Sequence, residues 1–358
     1  MKILKKAVAG ICVFAICFAM GCGGTSNNDE SAKPSPLETP IVQAVGNVLY
    51  WNKIENAVEY RVIKNGETYV TTKNLFVRVD DLAQNSEFSV VAKASNQSQN
   101  SKTSDRVLIS RNTGFTEEES LTITLSDENE TNQYSVPSNI NCVTITGTVS
   151  EEVNAKIEFE ARTSDIFIQL NGVSMTAGES VNCLGMKNDA YDETSNYSAI
   201  IKVTGENHLT CKSVTKTPGQ PAQNTEIQGG TGYVGGSPIL FSKLAIIGDG
   251  SLELIAGNGG NGGKGANSAG FSSKRYGFGG NGGTGGSGVY SAKTVLAMDY
   301  GGIVRATAGI GGNGGEPGAN GSIVSSIWGA TWDSYYGQKG ADGSKIRGEF
   351  LNLQGVLE

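Results

Sequence analysis

Histidine is almost missing from this chain: His208 is the only one in 358 residues. Three Trp and an 18% share of charged residues leave little more for metal or nucleophile chemistry. One imidazole cannot cage a metal, and no Cys or carboxylate stands near His208 at ligand spacing, so it reads as a surface turn residue. The G-x-S-x-G pattern of a nucleophile elbow does not occur. A net charge of -7 speaks against a nucleic-acid partner, because phosphate binding needs clustered Lys and Arg. Proline is scarce, at 8, and Gly does not recur at every third position throughout, which excludes a collagen triple helix. No helical period is sustained from Ser120 onward. Glycine is what the chain has in excess: 50 residues, about 14% against a usual ~7%.

The start of the chain reads as an export signal. Lys2, Lys5 and Lys6 precede an apolar run over 7–20, shorter than the ~20 residues of a membrane span. The run closes on Ala19-Met20-Gly21-Cys22, which resembles a bacterial lipobox, although Leu is usual where Ala19 stands. The resemblance implies a signal peptide over 1–21, lipid on Cys22, and anchoring to the outer face of a bacterial membrane. Residues 22–40 are polar, contain Pro and lack periodicity, as a tether would. Cleavage would remove three lysines and move the net charge from -7 to -10. Cys142, Cys183 and Cys211 then remain. At most one disulfide can join them within a chain, and each also suits the role of a small buried hydrophobe.

Residues 41–111 alternate in short runs with turn signals between them. Val48–Trp51, Tyr60–Lys64, Thr68–Thr72, Phe76–Val79, Phe88–Ala94 and 105–110 read as strands, with Asn65-Gly66 as a hairpin turn. Pro40, Trp51, Tyr60, the Asp81-Leu82 step and the strand from Phe88 resemble a fibronectin type III domain. Trp51 would be its core Trp. Phe88 stands where that family usually has Tyr, so this corner is expected to rest on packing alone. A linker is expected over 112–119.

From 120 to 358 the texture changes to Ile-, Val- and Leu-rich runs ending in Gly or Asn: Leu121–Leu125, Cys142–Ile145, Ile157–Phe159, Ile166–Leu170, Ile200–Val203, Leu244–Ile247, Leu252–Ile255 and Ile303–Ala306. Residues 243–263 align with 293–315, and 202–211 repeat the middle of the pattern. The offset of about 50 residues suggests two coils of a stacked solenoid. The pattern strand, Gly turn, strand, GGxGG resembles the glycine-rich right-handed parallel β-helices of bacterial surface proteins, a group that includes carbohydrate-binding β-helix domains. The expected fold is all-β: a small sandwich followed by a β-helix. Residues 257–265, 277–288 and 309–316 keep strict G-X-G triplets. Three residues per turn is the polyproline II period. Its X rows would be Asn258, Asn261, Lys264; Phe278, Asn281, Thr284, Ser287; and Ile310, Asn313, Glu316. Three extended tracts flanking the β-helix are expected, bonded through Cβ-free glycine edges.

For function, Trp328, Trp332, Asp333, Tyr335 and Tyr336 are the candidate ligand-binding residues, with Lys339 beside them. Clustered aromatics stack on sugars or partners, but equally they could cap the open end of the β-helix. Asn188, Asp189, Asp192 and Glu193 form the densest acidic stretch of this region and could hold Ca²⁺, though a solvated loop fits as well. No other cofactor is expected. The reading is a lipid-anchored binding or adhesion protein that contacts polysaccharide or another surface component. A β-helix polysaccharide lyase or hydrolase and a structural spacer are the alternatives. No D-x-D or similar acidic pairing supports the enzyme.

Overall fold

The computed structural model describes residues 35–80, 82–110, 120–128, 132–150, 153–187, 191–195, 197–216, 229–265, 278–316 and 336–358. Residues 1–34, which hold the signal run and Cys22, and residues 111–119, which hold the expected linker, lie outside that set, as does Asp81. The fold is all-β. Residues 36–358 form one compact unit.

Seven antiparallel strands come first: β1 (Val42–Val45), β2 (Val48–Trp51), β3 (Glu59–Lys64), β4 (Glu67–Thr72), β5 (Phe76–Arg78), β6 (Ser86–Lys93) and β7 (Val107–Ile109). They form two sheets, ordered β1-β2-β5 and β4-β3-β6-β7. Asn65 (φ 50°) and Gly66 (φ 93°) both take the left-handed conformation that a tight hairpin between β3 and β4 requires. Leu49, Trp51, Ile54, Tyr60, Val62, Val79, Leu82, Phe88 and Val90 fill the space between the sheets. Trp51 is therefore core, its ring 5.5 Å from that of Tyr60. Phe88 is fully buried and meets the edge of Tyr69 at 5.7 Å.

The remaining strands form a single 15-stranded sheet, parallel throughout and curled into three walls. They are β8 (Ser120–Leu125), β9 (Asn132–Val136), β10 (Cys142–Thr148), β11 (Ala155–Phe159), β12 (Ile166–Ala177), β13 (Leu184–Met186), β14 (Ala199–Thr204), β15 (Glu206–Cys211), β16 (Ile239–Leu240), β17 (Lys243–Gly248), β18 (Ser251–Ile255), β19 (Val289–Met298), β20 (Ile303–Thr307), β21 (Ile346–Gln354) and β22 (Val356–Leu357). The first wall runs β8-β10-β12-β14-β17-β19-β21. The second runs β12-β15-β18-β20-β22, and the third β9-β11-β13-β16-β19. β12 and β19 bend to serve two walls each. This is a parallel β-helix.

Register explains the aliphatic pattern. Val143, Ile168, Ile201, Ile246 and Leu296 stack one above another inside the first wall. Each is buried, which contributes about 1.5–3 kcal/mol per large aliphatic side chain. Met175, Leu209, Leu254 and Ala306 make the equivalent row in the second wall. Asn207, 1% exposed, seals the corner between walls. Its Oδ1 accepts the Val173 N–H at 2.9 Å, and its Nδ2 reaches the carbonyls of Thr204, Gly205 and Ser251.

The register also corrects the repeat. Lys243 pairs directly with Lys293, so an offset of 50 residues is one coil and not two. Coils lengthen along the chain. Ser120 pairs with Cys142, Ile166 with Ala199, and Lys293 with Glu349, spacings of 22, 33 and 56 residues. From Ala199 onward each coil also carries glycine tract.

Five such tracts are present: 229–236, 257–265, 278–288, 309–316 and 337–344, here called tracts one to five. Every contacting pair shares three backbone hydrogen bonds at three-residue intervals. Tract three donates to tract two through Gly280, Gly283 and Gly286, to the carbonyls of Gly263, Gly260 and Gly257, so the two run antiparallel. Tract two donates to tract four through Gly259, Gly262 and Gly265, to Ile310, Asn313 and Glu316, in parallel. Tracts one, three and five thus run one way in one layer, and two and four run the other way in a second. The X rows face solvent, except Ser287, which is buried. PPII leaves the X residue's own N–H unbonded, and here Asn supplies the missing acceptor. Asn258 Oδ1 takes the Ile310 N–H at 2.7 Å, Asn261 that of Asn313 at 2.9 Å, and Asn281 that of Gln338 at 3.0 Å. Tracts one and five carry G-x-x triplets, without the strict G-X-G pattern that marks the other three. They lie at the edges of the bundle, where a side chain such as Tyr233 or Lys339 has room.

The outer face of the first wall is apolar too. Ile200, Ala245, Ile247, Val295 and Ala297 are buried under Val45, Val48 and Tyr50 of the β1-β2-β5 sheet. Gly46 (φ 55°) lies so close to Ile200 that a Cβ there would overlap its side chain. Arg78 Nη1 pairs with Asp299 at 2.8 Å, and Lys293 Nζ donates to Gln43 at 2.9 Å, at the rim of this contact.

A Cβ at Gly283 would collide with the Tyr233 carbonyl. Gly283→Ala is expected to lower stability by about 2–4 kcal/mol and to open the bundle to protease, whereas Thr284→Ala, one residue on and solvent-facing, should change it by less than about 0.5 kcal/mol. Thermal unfolding and limited proteolysis of the two variants measure this.

Candidate functional site

Four of the five aromatic-cluster residues, Trp328, Trp332, Asp333 and Tyr335, lie outside the described residues. Tyr336 is described and 48% exposed. It immediately precedes tract five. The segment that holds the other four runs between Glu316 and Tyr336, the ends of tracts four and five that lie away from the β-helix walls.

A concave site of ligand size lies at the other end of the bundle. A cleft of about 360 Å³ opens where tract one meets the third wall. That is near the lower limit of small-ligand pockets, ~300–1,000 Å³. Ser180, Asn182, Tyr191, Tyr233, Ser237 and Tyr290 line it, with Leu240 and the backbone of 234–236.

Each side chain is placed by an identifiable element. Tyr290 sits at the bend of β19, paired with Leu240 of β16 and Arg347 of β21. The Arg347 guanidinium lies 4.4 Å from the Tyr290 ring centroid, a cation–π contact that holds the ring. Tyr191 meets Tyr290 edge to face at 5.6 Å and 84°. Tyr233 occupies an edge position of tract one and is 50% exposed. Asn182 Oδ1 accepts the Ser237 N–H at 2.9 Å, which leaves the amide's two N–H donors for other partners. Ser180 holds φ 59°, a costly conformation for a residue with a Cβ. That turn directs 180–182 toward the cleft.

The Tyr191 hydroxyl is buried without a hydrogen-bond partner among the described residues. A buried hydroxyl left unpaired costs about 1–3 kcal/mol. Burial, reinforced by Glu193, pushes its pKa up to about 12. The phenol therefore stays protonated at any ordinary pH.

The other sequence candidates are dispersed. His208 stands on the outer face of the second wall with Nδ1 2.8 Å from Glu253. Of the acidic stretch, Asn188 and Asp189 lie outside the described residues. Asp192 accepts from both the Thr194 N–H (2.8 Å) and its hydroxyl (2.7 Å), an internal turn that depresses its pKa. Among the described residues no three His, Cys, Asp or Glu side chains converge as a metal site would need. The tyrosine cleft itself was not foreseen, because Tyr191, Tyr233 and Tyr290 are scattered over 100 residues and only coil register joins them.

No family model, no curated protein and no solved structure matches this chain.

Because the raised Tyr191 pKa favours the neutral phenol in the fold, its contribution to stability is present below pH 10 and is lost as pH climbs from about 10 toward 12. Melting curves across that interval should fall more steeply for the native chain than for Tyr191→Phe; parallel curves would contradict the assignment.

Proposed function

We propose that this chain is a lipid-anchored surface protein that binds polysaccharide and does not transform it. The observation that carries the reading is the tyrosine cleft. Flat aromatic faces beside amide and hydroxyl groups suit a sugar ring, which offers C–H faces for stacking and hydroxyls for hydrogen bonding. In this reading Tyr233 and Tyr290 supply the faces. Asn182 and Ser180 supply the polar contacts, and Tyr191 backs the Tyr290 ring. The sequence cluster Trp328, Trp332, Asp333, Tyr335 and Tyr336 is a second set of candidate contacts for a longer chain.

The Ala19-Met20-Gly21-Cys22 sequence and the polar stretch after it support export and lipidation at Cys22. The two small antiparallel sheets, with Trp51 and Tyr60 at their core, suit a fibronectin type III module. Its contact with the first wall gives it the role of a brace on the β-helix and not a free spacer. Binding by a rigid cleft with a presentation tether fits adhesion to a glycan-bearing surface.

Binding of the purified chain to a panel of bacterial and plant polysaccharides tests the reading. Tyr233→Ala should weaken binding about 3- to 10-fold with an unchanged Tm. Tyr191→Phe should bind as the native chain does and melt at the same temperature or higher, since it removes an unpaired buried hydroxyl. No binding, or release of unsaturated oligosaccharide that absorbs in the ultraviolet, would reject it. For the anchor, Cys22→Ser should move the protein from the membrane fraction to the soluble one.

A further inference from the structure

Cys183 and Cys211 lie in different walls yet meet inside the β-helix. Cys183 immediately precedes β13 of the third wall; Cys211 ends β15 of the second. Both are buried, at 0% and 2% exposure, and their sulfurs are 3.7 Å apart. That is van der Waals contact. Cys183 Sγ also lies 3.1 Å from the Thr210 carbonyl, which fixes the side chain toward its neighbour. Cys142 is half-buried in β10 of the first wall and belongs to no such pair.

From this juxtaposition we propose that Cys183 and Cys211 are a disulfide site: under oxidising conditions they close a bond that staples the third wall to the second across one coil. Closing the sulfurs to the ~2.05 Å of a disulfide needs an approach of under 2 Å. The position has a consequence for the cleft. Asn182, whose Oδ1 holds the Ser237 N–H, directly precedes Cys183, and Ser180 is two residues further back. Lys212, directly after Cys211, donates its N–H to the Ala177 carbonyl, and its own carbonyl abuts Gly257 of tract two. The bond would therefore fix the floor of the cleft and the base of the bundle together.

The oxidant is a disulfide-bearing partner, either a thiol–disulfide oxidoreductase or oxidised glutathione. One cysteine thiolate attacks the partner's disulfide, releases one partner thiol and forms a mixed disulfide. The second cysteine displaces the other partner sulfur. The pair loses two electrons and two protons, and the partner ends as two thiols. Burial and the adjacent Cys183 raise the Cys211 pKa well above its ordinary value, so little thiolate exists in the finished fold. Oxidation belongs to the folding stage, while the coil is still open.

The test is refolding the purified full chain with oxidised and reduced glutathione, then blocking free thiols in denaturant and mapping peptides by mass spectrometry. The expected product is one disulfide, Cys183–Cys211, with Cys142 blocked. Its Tm should exceed that of the reduced chain by roughly 5–10 °C, and Cys142→Ser should show the same gain. Blocked thiols at both Cys183 and Cys211, or a bridge to Cys142, would overturn the proposal. The state of the pair in protein taken from its native cells is a separate readout: it tests export, because a reducing compartment would keep a competent pair open.

Discussion

The bundle depends on what glycine lacks. Its tracts approach so closely that a Cβ at almost any inner position would fall on a neighbouring backbone carbonyl: at Gly280 on Gly230, at Gly286 on Gly236, at Gly312 on Gly260. That proximity lets each donating glycine reach a carbonyl at 2.7–3.0 Å. The balance is narrow. Glycine gives up about 0.5–1 kcal/mol more than alanine on ordering, and a backbone hydrogen bond returns a net ~0.5–1.5 kcal/mol. A free bundle would be marginal. This one is held at one end by the β-helix, since tract one runs into β16, tract two leaves β18, tract three runs into β19, tract four leaves β20 and tract five runs into β21. Coil stacking thus sets the position of each tract.

Much of this was legible in the sequence. The first and second walls were, because their strands carry Ile, Val and Leu in runs that face a filled interior. The hairpin at Asn65-Gly66 and the core role of Trp51 were as well. Of the third wall only β11 was, through the Ile157–Phe159 run. β9 is Asn-Gln-Tyr-Ser-Val, β13 has three residues and β16 two, too short or too polar to announce strands without their neighbours. Runs such as Leu244–Ile247 and Val295–Met298, apolar at every position, carried a further message. Parallel strands buried on both faces read this way, and their outer face proved to be covered by the β1-β2-β5 sheet.

The candidate site failed to show in the sequence for a related reason. Composition drew attention to the local cluster around Trp328, where aromatics are neighbours in the chain. The cleft is built from residues that become neighbours only after three coils have stacked. Tyr290 follows Leu240 by one coil, and Tyr233 arrives on a tract that exists only as part of the bundle. The Tyr191 hydroxyl, the left-handed Ser180 and the exposed Tyr233 are all locally unfavourable features. Their concentration in one cleft, at the joint between two different architectures, is what makes the place the candidate for binding.

The account stands most directly on the glycine-to-glycine hydrogen bonds, and amide hydrogen exchange resolved by residue measures them. The amides of Gly280, Gly283 and Gly286 should exchange at least ~100-fold more slowly than in the unfolded chain. Exchange of these three at free-peptide rates, while Ile246 and Ile247 in β17 stay protected, would show the β-helix to be real and the bundle not.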